Sequence, residues 1–401
     1  GVEPQPIASV GGGVTIGDCV NCPEISKVAN ADAFDPASYY ETAYAATTTE
    51  LATVLNELIS AKHVQLTYSQ VWSVLTFSDE DPNNSDNVIE IYTGNSIAKL
   101  GNGSGANANN QDSWNREHVW SKSHGFPETY QLGYTDAHHL RPADWSMNTL
   151  RSNLDFDNGG EAVEESPENF KDSDSWEPRN EVKGDVARMM FYMATRYNGA
   201  SSDKTPDLVL VDYTGTSTAT VDGKASFGKL CSLWEWHNAD PVDSREMSRN
   251  NVVFEYQGNR NPFIDNPEWA NDIFGEACRP HTAPVINIDG PTTVSENSVV
   301  SISASGSFDP DGDTLSYHWV QLSRELIHFE FDAETLTFTA PAVDADTPIK
   351  FQLTITDGEF EVTETFSLVV EAESSSSFGG SFGWLILLVL PLLRVRARKH
   401  S

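Results

Sequence analysis

REHVWSKSHGFPETYQLGYTDAHHLRPADWSMNTLRSNLDFD, residues 116–157, concentrates the chemistry of this 401-residue chain. It holds four histidines, His118, His124, His138 and His139, with Arg116, Lys122, Arg141 and Arg151, in a protein of formal charge -34. A local excess of cations inside an acidic chain marks a place where phosphate can be held. Just ahead, the Gly/Asn-rich loop LGNGSGANANNQD, residues 100–112, delivers the chain to SWNREHVW, which reads as a strand. Neighbours on a strand point to opposite faces, so Glu117 and His118 serve one site only if the strand bends or ends there.

Hydrolysis of a phosphodiester needs an activated water, a cation to offset charge building on the phosphate, and cationic donors for flanking phosphates. A neutral imidazole supplies the first. Carboxylate and amide oxygens suit a hard ion such as Mg²⁺, which keeps several waters and takes one or two protein ligands. Four clustered histidines raise zinc as the rival, but no His-Glu-x-x-His pattern is present.

Three ordered blocks, REHVWSKSHGF, DAHHLRP and SMNTLRSN, resemble the bacterial endonuclease I family. GDVARMMFYMATRY and DPVDSREMSRNNVVFEYQGNRNPFID extend the likeness across residues 45–275. The resemblance implies a ββα-metal fold, with the histidine at a strand end and the metal-binding asparagine on the following helix. On this chain it implies His118 as general base and Glu117 and Asn148 as ligands of Mg²⁺ or Mn²⁺. Arg151 joins the catalytic set as a phosphate or structural contact. Arg116, Arg141 and Arg188 are the expected contacts to a DNA or RNA backbone, cleaved without regard to sequence to leave 5′-phosphates, a structural ion pair being the plainer reading of Arg188. No small-molecule cofactor is expected. His139 stands where the family has Asn, and Met147, Thr149 and Leu150 replace small residues around Asn148. His138 reads as structural, orienting the site, and His124 is left unassigned.

Around this centre the chain reads as a globular α+β protein, a mixed α/β domain followed by a β-sandwich. Residues 1–35 are a Gly/Pro-rich leader with a cysteine pair, and residues 36–281 form the catalytic domain. TTTELATVLNELISAKH places Leu51, Val54, Leu55, Leu58 and Ile59 at helical spacing. VKGDVARMMFYMATRYN is a second amphipathic helix whose methionines belong to the core, and a third starts at Asp243 or Ser244 and breaks at Gly258. Cys19, Cys22, Cys231 and Cys278 make an even count in a chain that starts at Gly1, which suits an exported protein without its signal peptide. Three pairings are possible; Cys19 with Cys22 and Cys231 with Cys278 is the one expected, with zinc ligation as the alternative.

Between residues 282 and 372 the pattern changes to short alternating runs separated by turns, a β-sandwich. Sixteen acidic and two basic residues lie there, which removes much of the negative charge from the catalytic region. SGSFDPDGDTLSYHW resembles PKD-like and cadherin-like modules, and Asp309, Asp311 and Asp313 alternate as Ca²⁺-binding carboxylates do, an acidic turn being the plainer reading. From residue 373 onward a Ser/Gly linker, an apolar run from Phe382 to Leu393 and a basic end resemble the GlyGly-CTERM sorting signal. That run is short for a bilayer span. The resemblance implies removal by a sorting protease and delivery to the surface or exterior of a Gram-negative cell. A non-enzymatic surface adhesin is the rival that treats the first domain as a binding module.

Overall fold

The computed structural model describes residues 19–29, 31, 34–199, 202–215, 217–279, 281–323, 327–373 and 396–397. The chain divides after Arg279 into two units, each with its own apolar core. The elements that matter in the first are α1 (Thr48–Ala61), α2 (Tyr68–Ser78), β1 (Asn84–Ile89), β2 (Trp114–His118), β3 (Leu140–Asp144), α3 (Trp145–Arg151), α4 (Lys183–Arg196), α5 (Leu230–Ala239) and α6 (Ser244–Gln257).

Local chemistry explains where the long helices begin. Thr47 and Glu50 form a capping box at α1, satisfying donors that the first turn leaves open. Leu51, Leu55 and Ile59 then recur every four residues and are buried. Asn56, on the same helix, donates to the carbonyls of Thr195 and Arg196 at 2.7 and 3.1 Å, so α1 also closes the end of α4. Asp243 and Glu246 box the start of α6, which stops at Gly258 with φ +83°. A Cβ there would stand 2.6 Å from the Lys62 carbonyl, so both conformation and space call for glycine.

Helix α2 is absent from the sequence reading, as is α5. YSQVWSVLTFS is rich in β-branched and aromatic residues and is buried on nearly every face, so it lacks a polar stripe to announce its period. Thr67 and Gln70 still box its start. The loop at residues 100–112 contains short 3₁₀ turns, and Trp114 at its exit is fully buried against Trp72 of α2.

The leader's described part packs onto the first unit. Asn102, fully buried, accepts from the Val20 N–H and donates to the Val20 carbonyl, both at 2.8 Å, imitating a strand pairing with one side chain. Ser73 donates to the Pro23 carbonyl, and Val28 N–H donates to the Glu255 carbonyl. Cys19 is joined to Cys22 and Cys231 to Cys278.

The second unit is the β-sandwich expected. Its strands are β4 (Thr293–Ser295), β5 (Val299–Ser303), β6 (Ser316–Gln321), β7 (Phe329–Asp332), β8 (Thr335–Thr339), β9 (Thr347–Thr356) and β10 (Phe360–Glu371). One sheet runs β4-β10-β9-β6 and the other β5-β8-β7. Ile349, Phe351, Leu353 and Ile355 alternate inward along β9 against Trp319 and Phe338. VINID, residues 285–289, makes only isolated bridges, Val285 to Phe308 and Asp289 to Ser303. Most of the C-terminal tail lies outside the described residues.

Candidate active site

Strands β2 and β3 pair antiparallel, with Glu117 opposite Arg141 and His118 opposite Leu140. Helix α3 follows β3 directly. Asp144 caps it by accepting from the N–H groups of Ser146 and Met147 at 2.8 and 3.0 Å, and Trp145 N–H donates to the Ser113 carbonyl. The helix is thereby clipped to the start of β2, and one turn carries both Asn148 and Arg151 toward that strand. Strand β2 ends at His118.

On the α3 side of β2, Glu117 is buried at 2% exposure. The Tyr92 hydroxyl donates to its Oε1 at 2.7 Å, and Arg151 stands 3.3 Å from the same oxygen. Burial raises this carboxyl above its usual range, while Arg151 and Tyr92 pull it back. Two residues earlier on the same face, Asn115 accepts from Asn148 Nδ2 at 2.6 Å. That bond orients the amide and leaves Asn148 Oδ1 with no hydrogen bond among the described residues.

The other side of the strand end carries His118, ringed by aromatic groups. Tyr134 meets it edge-on at 4.7 Å, Tyr68 stacks at 5.9 Å and His139 lies at 5.6 Å. His118 Nε2 is 2.9 Å from the Tyr134 carbonyl. A carbonyl only accepts, so Nε2 carries the proton and Nδ1 the lone pair. Burial, reinforced by nearby His139, holds this imidazole well below the usual histidine range, and it is neutral.

The geometry is thus a neutral imidazole with one free nitrogen at a strand end, and a buried carboxylate plus an oriented amide oxygen between strand and helix. A family model described as Endonuclease I matches residues 47–268, more than half of the chain. The chain belongs to the endonuclease I family. A Bacterial Ig domain model matches residues 281–369. An extracellular ribonuclease of Bacillus amyloliquefaciens is 49% identical over 267 residues, covering 66% of this chain and 86% of the relative. Its counterpart in Bacillus subtilis (strain 168) is 52% identical over 241 residues, 60% and 79% respectively. The endonuclease-1 of Buchnera aphidicola subsp. Baizongia pistaciae (strain Bp) is 28% identical over 142 residues, 34% of this chain and 48% of that protein.

Within this endonuclease I unit the expected phosphate contacts need correction. Arg188 is fully buried in a two-pronged pair with Glu246, at 2.7 and 2.5 Å. Arg141, 3% exposed, pairs with Asp79 at 2.6 Å and Asp185 at 3.1 Å. Both charges are spent inside the fold. Arg151 is fully buried too: its Nη1 donates to the His118 carbonyl at 3.0 Å and Ser121 Oγ at 2.5 Å, its Nη2 to the Val119 carbonyl at 2.7 Å. It grips the backbone at His118 and Val119 and is shielded from solvent. Arg116 is half-buried, its guanidinium 3.3 Å above the Tyr68 ring and 4.0 Å from that of Trp72, and it donates to the Tyr68 carbonyl.

The histidines also divide differently. His138 binds the Asn259 carbonyl at 3.0 Å and packs on Tyr192. The histidine beside His118 is His139, whose Nε2 bonds the Gly133 carbonyl at 2.8 Å. Consecutive carbonyls, Gly133 and Tyr134, therefore fix both rings. His124 has a carbonyl at each ring nitrogen, Ser226 at 2.9 Å and Asn153 at 3.0 Å. Sequence reasoning missed Tyr92, Asn115 and Tyr134. Asn115 was findable, because it lies two positions before Glu117 on a strand and so shares its face; Tyr134 acts on His118 through its main chain, which no side-chain pattern reveals.

Proposed function

We propose that this endonuclease I-family protein is a secreted, metal-dependent nuclease that hydrolyses DNA and RNA backbones to 5′-phosphate products through a ββα-metal site. The observation that carries the reading is the His118 imidazole, neutral, held by the Tyr134 carbonyl and presenting a free Nδ1 at the end of β2. His118 Nδ1 takes the proton of the attacking water. Arg151 holds the backbone of His118 and Val119, while the Tyr134 carbonyl holds the ring itself.

The donor set fits Mg²⁺ or Mn²⁺: one carboxylate from Glu117, with further lone-pair capacity, and the free Oδ1 of Asn148. Such an ion supplies charge neutralisation at the phosphate and the leaving oxygen. Asn115 and Tyr92 hold the two ligands in place. A zinc reading fits less well, because His118, His124, His138 and His139 each commit at least one ring nitrogen to a backbone carbonyl and do not converge. Contacts to backbone phosphates carry no sequence information, hence tolerance of sequence.

The extracellular relatives support secretion. Among the described residues no helix is long and apolar enough to cross a membrane. The GlyGly-CTERM-like tail leads us to propose cleavage by a sorting protease at a Gram-negative surface, tested by mass spectrometry of the released chain. In the second unit we propose a Ca²⁺ site at Asp309, Asp311 and Asp313, whose ligand oxygens lie within 4.8 Å of one another. Asp309 is 9% exposed and its Oδ2 is buried without a partner, a costly state for a lone carboxylate oxygen.

Cleavage of plasmid DNA and of RNA by the purified chain, with EDTA and Mg²⁺ arms beside His118→Ala, tests the nuclease reading. Cleavage is expected only with metal and is lost in the variant. A parent inert with every divalent ion would favour the adhesin.

A further inference from the structure

Burial of three of the arginines expected at the site leaves open which cation meets the substrate. Arg141, Arg151 and Arg188 are 3%, 0% and 0% exposed, and each faces a carboxylate. Lys122 differs on both counts. It is exposed, and among the described residues it has no carboxylate partner; its Nζ donates to the Tyr134 hydroxyl at 3.0 Å and lies 5.0 Å from the centre of that ring. Tyr134 is 5% exposed and is itself held edge-on by Tyr68 at 4.8 Å. Its carbonyl fixes His118 and its hydroxyl fixes Lys122, so one residue indexes the ammonium to the imidazole.

Tyr68, which touches both Tyr134 and His118, carries Arg116 over its ring. His118, Tyr68 and Tyr134 thus form one aromatic triangle whose two tyrosines each bear a cation, in a chain of charge -34. Of the two cations, Arg116 is half-buried and tied to the Tyr68 carbonyl, whereas the Lys122 ammonium keeps two of its three donors for solvent or ligand.

We propose that Lys122, positioned by Tyr134, forms a subsite for a backbone phosphate of the nucleic acid cleaved at His118. The subsite recognises a phosphate diester oxygen by point charge and takes no part in proton transfer. It rests on the nuclease reading above.

The test is steady-state cleavage of a fluorescent DNA duplex by the full chain with Mg²⁺ at several NaCl concentrations, comparing parent, Lys122→Gln, Lys122→Arg and Tyr134→Phe. Thermal melts check that each variant is folded. Losing one phosphate contact lowers the slope of log(kcat/KM) against log[salt] by about 0.9. Lys122→Gln is expected to raise KM about tenfold at low salt and to change kcat less than about threefold, with that drop in slope. Lys122→Arg restores most of the affinity, and Tyr134→Phe shows a smaller rise in KM. A folded Lys122→Gln with the parent's KM and salt slope overturns the subsite and leaves the nuclease standing. A loss confined to kcat overturns it as well, because that points to a role in the chemical step. Absence of metal-dependent cleavage by the parent removes the nuclease reading and the subsite together.

Discussion

Arg151 shows how far a side chain's type falls short of its role. A guanidinium beside a histidine motif invites a phosphate, yet this one is spent on two carbonyls, a serine hydroxyl and Glu117. Removing one partner of a buried charge cluster costs about 3–5 kcal/mol, because the other charge stays behind without water. Arg151→Ala is thus expected to lower thermal stability strongly, and Arg151→Lys to keep part of it while losing the fork that holds His118; melting curves with a cleavage assay separate the two. Arg141 was misleading in the sequence for the same reason, and Arg188 takes the structural ion pair that was its plainer reading. Their partners, Asp79, Asp185 and Glu246, lie tens of residues away, and only the fold brings them together. Asn115→Ala makes a milder prediction: Asn148 loses its anchor, and Mg²⁺ affinity measured by calorimetry falls about tenfold or more, as for lost outer-shell partners elsewhere. Unchanged affinity would show that the Asn148 amide orients itself.

Elements with local signals were legible, and elements defined by neighbours were not. Helices α1 and α6 carry their capping boxes, apolar spacing and, for α6, a terminal glycine in the sequence itself. Helix α2 is buried almost all round and shows no polar face, so its period was hidden. At this scale the acid response of α5 can be stated. Burial, helped by Arg188, pushes its His237 down to about 4 in the folded protein, below the ordinary value near 6.5 of an unfolded chain. The unfolded state then binds the extra proton between pH 6.5 and 4, so this histidine's contribution to stability is present above that window and is lost as pH falls through it. His237→Gln is expected to flatten the pH dependence of denaturant midpoints in that window relative to the parent. An identical slope would mean that His237 does not titrate differently on folding. The Asp309 turn makes its own claim: Ca²⁺ is expected to raise the melting temperature of the full chain's second transition, and Asp309→Asn to abolish that rise.

At the level of the molecule, charge and covalent closure decide more than any motif. The pair Cys231–Cys278 closes a span of 47 residues around α5 and α6. Chain-entropy estimates put the effect of such a closure near 4 kcal/mol. Reduction, or Cys278→Ser, is expected to lower the melting temperature of the first unit while leaving the second unchanged, as separate cores require. The two-part architecture was readable because composition and periodicity switch together near residue 282. The leader was not, because its attachment depends on single contacts such as Asn102 with Val20 that have no repeat or motif.

The grip of Arg151 has a consequence for the cell that makes the protein. Strand end, helix and His118 are joined through one buried guanidinium, so the main chain at His118 is held only when α3 has docked on β2. On the nuclease reading proposed above, a chain that has not yet docked α3 on β2 is expected to leave nucleic acid uncut, so that activity appears together with the folded state.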